Sequence, residues 1–307
     1  MKYILFCFLI FSNVACSPKI EQSTYSDPAR IKSDLKKIVH TKKSRNYLNT
    51  DVLNQVADYI FQEFSKNCDT VFYQLYTVNG REYKNVIGII GKDYQSTIVV
   101  GAHYDVAGEQ QGADDNASGI AGLLELNRMI DAKNCRKRIE LVAYSLEEPP
   151  FFRTEYMGSY IHAKSLYDSG TEIDGMICLE MIGYFNNEKN SQEYPVGLLK
   201  PFYGSKGNYI TVVQKLGNGK FGRRVNRNMK NANFIETKSF KAPAKLPGID
   251  FSDHLNYWKF GYSAVMITNT AFYRNKNYHQ TTDILETLDI EKMSQVIDEV
   301  HLTILNL

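Results

Sequence analysis

The chain has 307 residues, 43% of them hydrophobic, enough for one sizeable core. Its 36 basic and 34 acidic side chains leave a formal charge of +2, which excludes the strong overall field that draws a protein to nucleic acid or to an anionic membrane.

Residues 1–16, MKYILFCFLIFSNVAC, read as an export signal. Lys2 supplies a positive start, and Tyr3 to Phe11 form an apolar run shorter than the roughly 20 residues of a membrane span. Val14-Ala15-Cys16 resembles a bacterial lipoprotein processing site, with Asn13 where such sites usually carry Leu. The expectation is an exported protein held to a membrane by lipid on Cys16, facing the periplasm or cell surface. The alternative is plain secretion. Polar residues 17–26 read as a tether, and one domain, residues 27–307, follows.

Asp27-Pro28 starts a helix, with Pro in the first turn where its missing N–H is harmless. A second helix spans about Asp51 to Lys66, where Val52, Val56, Ile60 and Phe64 make one apolar stripe. TVFYQLYTV and YKNVIGIIG flank an Asn79-Gly80 turn and predict a hairpin. STIVVGAHYD and RIELVAYSLEE are apolar runs ending in charge, as expected of strands covered on both faces. ASGIAGLLELNRMI between them suits a helix packed on the sheet, GMICLEMIG and YSAVMITN add buried strands, and a last helix starts near Asp289. This alternation predicts a three-layer α/β/α sandwich with a mixed, mostly parallel central sheet. Residues 185–250, rich in Asn, Lys, Gly and Pro, break the rhythm and read as an irregular excursion beside the site, with one strand near YITVV.

In an export setting Cys68 and Cys135, each following a helical pattern and preceding a strand, can form a disulfide at one sheet edge. Cys178, inside an apolar strand, reads as a buried free thiol.

Ligands of open α/β sheets bind beyond the carboxyl ends of the strands. Polar residues ending successive strands therefore converge: His103 and Asp105, Glu147 and Glu148, Glu180, and the loop residues Asp114 and Asp115. So many carboxylates in one cleft cannot all ionise without bound cations, and imidazole mixed with carboxylate suits catalytic zinc. Taken singly the motifs are weak, since H-x-D and E-E pairs abound on surfaces and D-D-N-A-S-G can be a capped helix start. Their order is the specific signal.

H-x-D, then GADDNASG, then E-E, then LEMIG, then a late His in YHQTTD resembles the co-catalytic di-zinc aminopeptidase family, whose relatives include glutaminyl cyclases, glutamate carboxypeptidase II and the transferrin receptor. The resemblance covers about residues 30–305 and looks like an exported bacterial branch. It implies two Zn²⁺ per chain, one held by His103 and Glu180, the other by Glu148 and His279, with Asp115 bridging. It implies Asp105 as the partner that orients His103, Glu147 as general base towards a metal-bridging water, and Tyr278 as a donor to the oxyanion. Several members have Asp where this chain has Glu180. The implied substrate is a peptide with a free N-terminus. Glutaminyl cyclase activity, normally with one zinc, is the rival on this scaffold; a catalytically silent binding module is disfavoured because the base and all five ligands are present. His254 reads as structural or substrate-side, and Arg153 and Glu155 as pocket or surface residues.

Overall fold

The computed structural model describes residues 25–217 and 219–307; the expected export signal and all but the end of the tether lie outside the described residues. Helix α1 (Pro28–Val39) begins where Asp27 accepts the Ala29 N–H at 2.8 Å, and α2 (Thr50–Phe64) buries Val52, Val56, Ile60 and Phe64. Strands β1 (Thr70–Val78) and β2 (Arg81–Ile90) form the expected hairpin, with positive φ at Asn79 (50°) and Gly80 (75°) as a two-residue turn of this hand requires. After them come β3 (Thr97–His103), α3 (Gly119–Met129), the short α4 (Ala132–Cys135), β4 (Arg138–Tyr144), α5 (Gly158–Asp168) and β5 (Gly175–Glu180). The chain finishes with α6 (Lys200–Tyr203), β6 (Ile210–Lys215), α7 (Gly219–Ala232), β7 (Thr237–Ala242), α8 (His254–Lys259), β8 (Ala264–Thr268) and α9 (Ile290–Leu305).

The strands make one sheet in the order β1-β2-β4-β3-β5-β8-β6-β7. Pairings β3–β4, β3–β5, β5–β8 and β6–β7 are parallel, and β1–β2, β2–β4 and β6–β8 antiparallel. Side chains alternate between two cores: Ile98, Val100, Ile177 and Leu179 face α1, α2, α3, α7 and α9, whereas Val99, Met176 and Cys178 face α5 and α8. The sandwich is the one the sequence predicts. Strand order reverses about β3, with β4 on one side and β5 on the other, which opens a crevice at its carboxyl end.

Three expectations are corrected. Residues 185–250 are not simply irregular, because β6, α7 and β7 form a parallel βαβ unit that extends the sheet. Phe221, Val225 and Met229 give α7 its buried stripe, which the many polar residues around them obscure. Trp258, expected ahead of or in a strand, lies in α8. Cys68 is a free thiol, not half of a disulfide with Cys135. Its Sγ turns inward beside Phe64 and Gly88 and donates to Asn127 Oδ1 at 3.2 Å. Cys178 is the buried free thiol expected. Among the described residues no helix is long and apolar enough to cross a membrane.

Candidate metal centre

The carboxyl ends of β3, β4 and β5, and the loop after β8, converge on one chamber of about 640 Å³ with Phe152, Phe251 and Phe272 among its walls. His103 closes β3 and Glu180 closes β5. A turn through Leu146, held at φ 60°, brings Glu147 and Glu148 in after β4. Asp115 comes from the loop into α3. Here Gly112 (φ 59°) is required by space as well as by conformation, since a Cβ would stand 2.3 Å from Asp115 O.

All five expected ligands meet. His103 Nε2 lies 3.4 Å from Asp115 Oδ1 and 3.4 Å from Glu180 Oε2. His279 Nε2 lies 3.2 Å from Asp115 Oδ2 and 3.1 Å from Glu148 Oε2. Asp115 thus turns one oxygen to each imidazole, and each imidazole has its own glutamate. His103, Asp115 and Glu148 by themselves offer ligand atoms within 4.8 Å of one another. Ligand atoms 2.0–2.1 Å from a tetrahedral zinc stand about 3.3 Å apart, so these spacings fit an ion in each half. Asp115 Oδ2, Glu148 Oε1 and His279 Nε2 are also buried without hydrogen-bond partners, as atoms reserved for a cation would be.

The adjacent acids divide their work. Glu148 faces His279, while Glu147 is outside both pairs, 3.9 Å from His103 Nε2. Asp115 faces the imidazoles, whereas Asp114 accepts the N–H groups of Gly183 and Tyr184 and the amides of Asn269 and Asn275, tying the exit of β5 to the loop that carries His279. Asp105 accepts the backbone N–H of Glu147 and of Glu148, each at 3.2 Å, and its Oδ1 lies 3.4 Å from His103 Nδ1. The ring of Tyr278 stacks on His279 with centroids 3.8 Å apart.

Burial would push the His103 imidazole down, but Glu180 and Glu147 raise it well above its usual range. Burial likewise opposes charge on His279, and contact with Asp115 and Glu148 brings it up to about 10. Glu148 is pushed up to about 8 by burial and then by Asp115, and burial holds Glu147 and Glu180 high as well. Asp115 alone is drawn below the carboxylate range: its burial is outweighed by the two imidazoles. Without metal, protons supply the positive charge this cluster demands.

Four supporting residues escaped the sequence. Buried Arg45 donates to the carbonyls of Ile38, Tyr104, Gln111 and Gly112, clamping the approach to Asp115. Nothing in its sequence neighbourhood marks it. Asp283 accepts the N–H groups of Asp114 and Asp115 at 2.9 and 3.0 Å; the signal was the D in YHQTTD. Ser252 donates to Glu180 Oε2 at 2.6 Å, and Asp253, raised to about 7 by burial, is buried with both carboxylate oxygens unpartnered. Both belong to the SDH triplet, in which His254 drew attention instead. His254 is structural, its Nε2 donating to Ile249 O at 2.7 Å and its ring edge-on to Trp258. Arg153 pairs with Asp250 at 2.6 Å and lies over the rings of Phe152 and Phe251, and Glu155 is exposed, so neither enters the centre.

The sequence model described as Peptidase family M28 matches residues 85–304. Uncharacterized protein YfbL of Escherichia coli (strain K12) is 39% identical over 309 residues, spanning 97% of this chain and 95% of that one. A probable leucine aminopeptidase of Arthroderma otae is 25% identical over 82% of this chain and 66% of its own length. Two solved structures share the fold. A Zn-dependent exopeptidase from Parabacteroides distasonis has a TM-score of 0.69 at 18% identity, covering 92% of this chain and 99% of that one. Bacteroides thetaiotaomicron glutaminyl cyclase has a TM-score of 0.70 at 17% identity, with coverage of 92% and 99%.

Proposed function

The chain belongs to peptidase family M28, a family of zinc-dependent exopeptidases, and from that premise we propose that it is a two-zinc aminopeptidase removing N-terminal residues from peptides. The observation that carries this reading is the split of Asp115, one oxygen towards His103 and Glu180, the other towards His279 and Glu148. Bound there, two zinc ions would lower the pKa of water and polarise the scissile carbonyl. Glu147, outside both pairs, takes a proton from the attacking water and returns it to the leaving amine. Tyr278, whose ring is fixed against His279, donates from its hydroxyl to the oxyanion. Asp105 sets His103 by receiving Nδ1–H, so that Nε2 is the free lone pair.

Glu147 and Glu180 are also placed to receive the substrate's ammonium. Beside Glu180 an apolar cavity of about 660 Å³, walled by Tyr203, Tyr209, Phe240, Phe251 and Met266, suits a bulky apolar side chain on the N-terminal residue. The test is turnover of free and N-acetylated peptides by zinc-loaded protein. Acetylation is expected to remove most of the activity; equal turnover would point to a carboxypeptidase or endopeptidase. Glutaminyl cyclase activity is the second reading, favoured by the shared fold with a cyclase. Cyclisation of N-terminal glutamine by a form saturated with one zinc would establish it over the first.

Export, with residues 17–26 as a tether and lipid on Cys16, completes the proposal and rests on the N-terminal sequence. Recovery of Cys16→Ser in the same membrane fraction as the parent would overturn the anchor.

A further inference from the structure

The small net charge of the chain hides a local segregation. From Lys215 to Ile235 there are six basic residues and no acidic one. Two of the six are engaged within the fold: Lys215 lies over the Trp258 ring, and Arg224 donates to the main-chain carbonyls of Asn306 and Leu307. Lys220, Arg223, Arg227 and Lys230 are exposed and have no ion-pair partner among the described residues. They follow one another at three-, four- and three-residue spacing and so form a single stripe about 15 Å long. The opposite face of α7 is the buried one, Phe221, Val225 and Met229, packed towards α9 and β7. The helix cannot turn its charges inward.

Acids on α9 that could have neutralised this face are committed elsewhere. Glu299 accepts the N–H groups of Phe234 and Ile235 and the Thr237 hydroxyl, and Asp298 accepts the N–H of Ser26. A solvated surface has no need of such one-sided composition, because mixed signs keep a helix soluble equally well.

The place where the chain enters the fold selects the partner. The Tyr25 ring packs edge-on against Phe234, just beyond the end of α7, at 5.8 Å, and Ser26 is fastened to Ser294 and Asp298. Residues before Tyr25 therefore join the domain beside this helix. Eight residues separate Cys16 from Tyr25 and span at most about 30 Å, so a chain anchored there would hold α7 close to the bilayer.

We propose that α7 is a docking face for an anionic bilayer, with Lys220, Arg223, Arg227 and Lys230 meeting lipid phosphates. Basic residues at such a surface are attracted additively, and salt screens the attraction. The proposal does not depend on the peptidase reading.

The experiment uses zinc-loaded full-length Cys16→Ser, which carries no acyl chain, and its Arg223→Gln/Arg227→Gln derivative. Each is sedimented with phosphatidylcholine vesicles and with vesicles containing phosphatidylglycerol, at low and high salt. The N-terminal apolar run is common to both proteins and cancels in the comparison. The parent should bind the phosphatidylglycerol vesicles selectively and release in high salt, and the derivative's partition coefficient should fall by about 25-fold, roughly five-fold per charge. Unchanged peptidase turnover and melting temperature in the derivative would confirm that folding is not the cause. Equal binding by parent and derivative, or binding indifferent to phosphatidylglycerol, would overturn the proposal. So would retention on heparin without vesicle binding, which would identify a soluble polyanion as the partner.

Discussion

Replacing Asp105 by Asn separates two roles that the geometry gives one side chain. The carboxylate is buried and accepts two main-chain N–H groups, from Glu147 and Glu148, at 3.2 Å each. Asp105→Asn keeps one acceptor oxygen and turns an amide NH2 towards the other N–H, leaving one buried donor unpaired. That costs about 1–3 kcal/mol of stability. The same change removes the anionic partner of His103 Nδ1, and loss of such a partner typically weakens metal binding by about 10–100-fold. Urea unfolding of the zinc-free protein reads the first effect, and competition for zinc against a chromophoric chelator reads the second. The reasoning requires both to move. Zinc affinity equal to that of the parent, alongside lowered stability, would reduce Asp105 to a fastener of the Glu147–Glu148 turn. Stability equal to that of the parent would refute the hydrogen-bond argument itself.

Two further expectations concern titration. His254 donates from Nε2 to Ile249 O, while its Nδ1 is buried without an acceptor, and burial pushes it down to about 4. Between that value and the ordinary 6.5 the unfolded chain binds the proton and the folded one does not, so stability rises with pH across this window. Acidification from pH 6.5 to 4 should remove up to about 3 kcal/mol, and His254→Gln should flatten that part of the zinc-free unfolding profile; an unchanged profile would contradict it. Burial, helped by Asp69, pushes the Cys68 thiol up to about 12, so alkylation at pH 8 should be slow in the native protein and fast in urea without reductant. A Cys68–Cys135 cross-linked peptide in a non-reducing digest would contradict the free thiol.

What the sequence discloses follows from how locally each feature is encoded. The hairpin turn at Asn79-Gly80, the Asp27 cap and the stripe of α2 are written within a few residues, and the structure has all three. The five ligand positions were legible because strands of an α/β sheet deliver their last residues to one edge, so order along the chain becomes proximity in space. Arg45 lacks any such mark: its four acceptors are main-chain carbonyls, which carry no residue identity. In α7 the buried stripe is only Phe221, Val225 and Met229 among charged and amide residues, so the polar majority read as loop. Cys68 misled because spacing places two cysteines near an edge but says nothing of the direction in which Sγ points.

The central claim is a two-ion centre in which neighbouring glutamates differ, one a base and one a ligand. Metal content and kcat measured together on the parent, Glu147→Gln and Glu148→Gln test it most directly. The account predicts about two zinc ions per chain in the parent. Glu147→Gln should keep both, with kcat lowered by about 10²–10⁴-fold, and Glu148→Gln should lose metal first and recover part of its activity in excess zinc. Metal loss in Glu147→Gln with retention in Glu148→Gln, or a parent that saturates at one zinc, would contradict it.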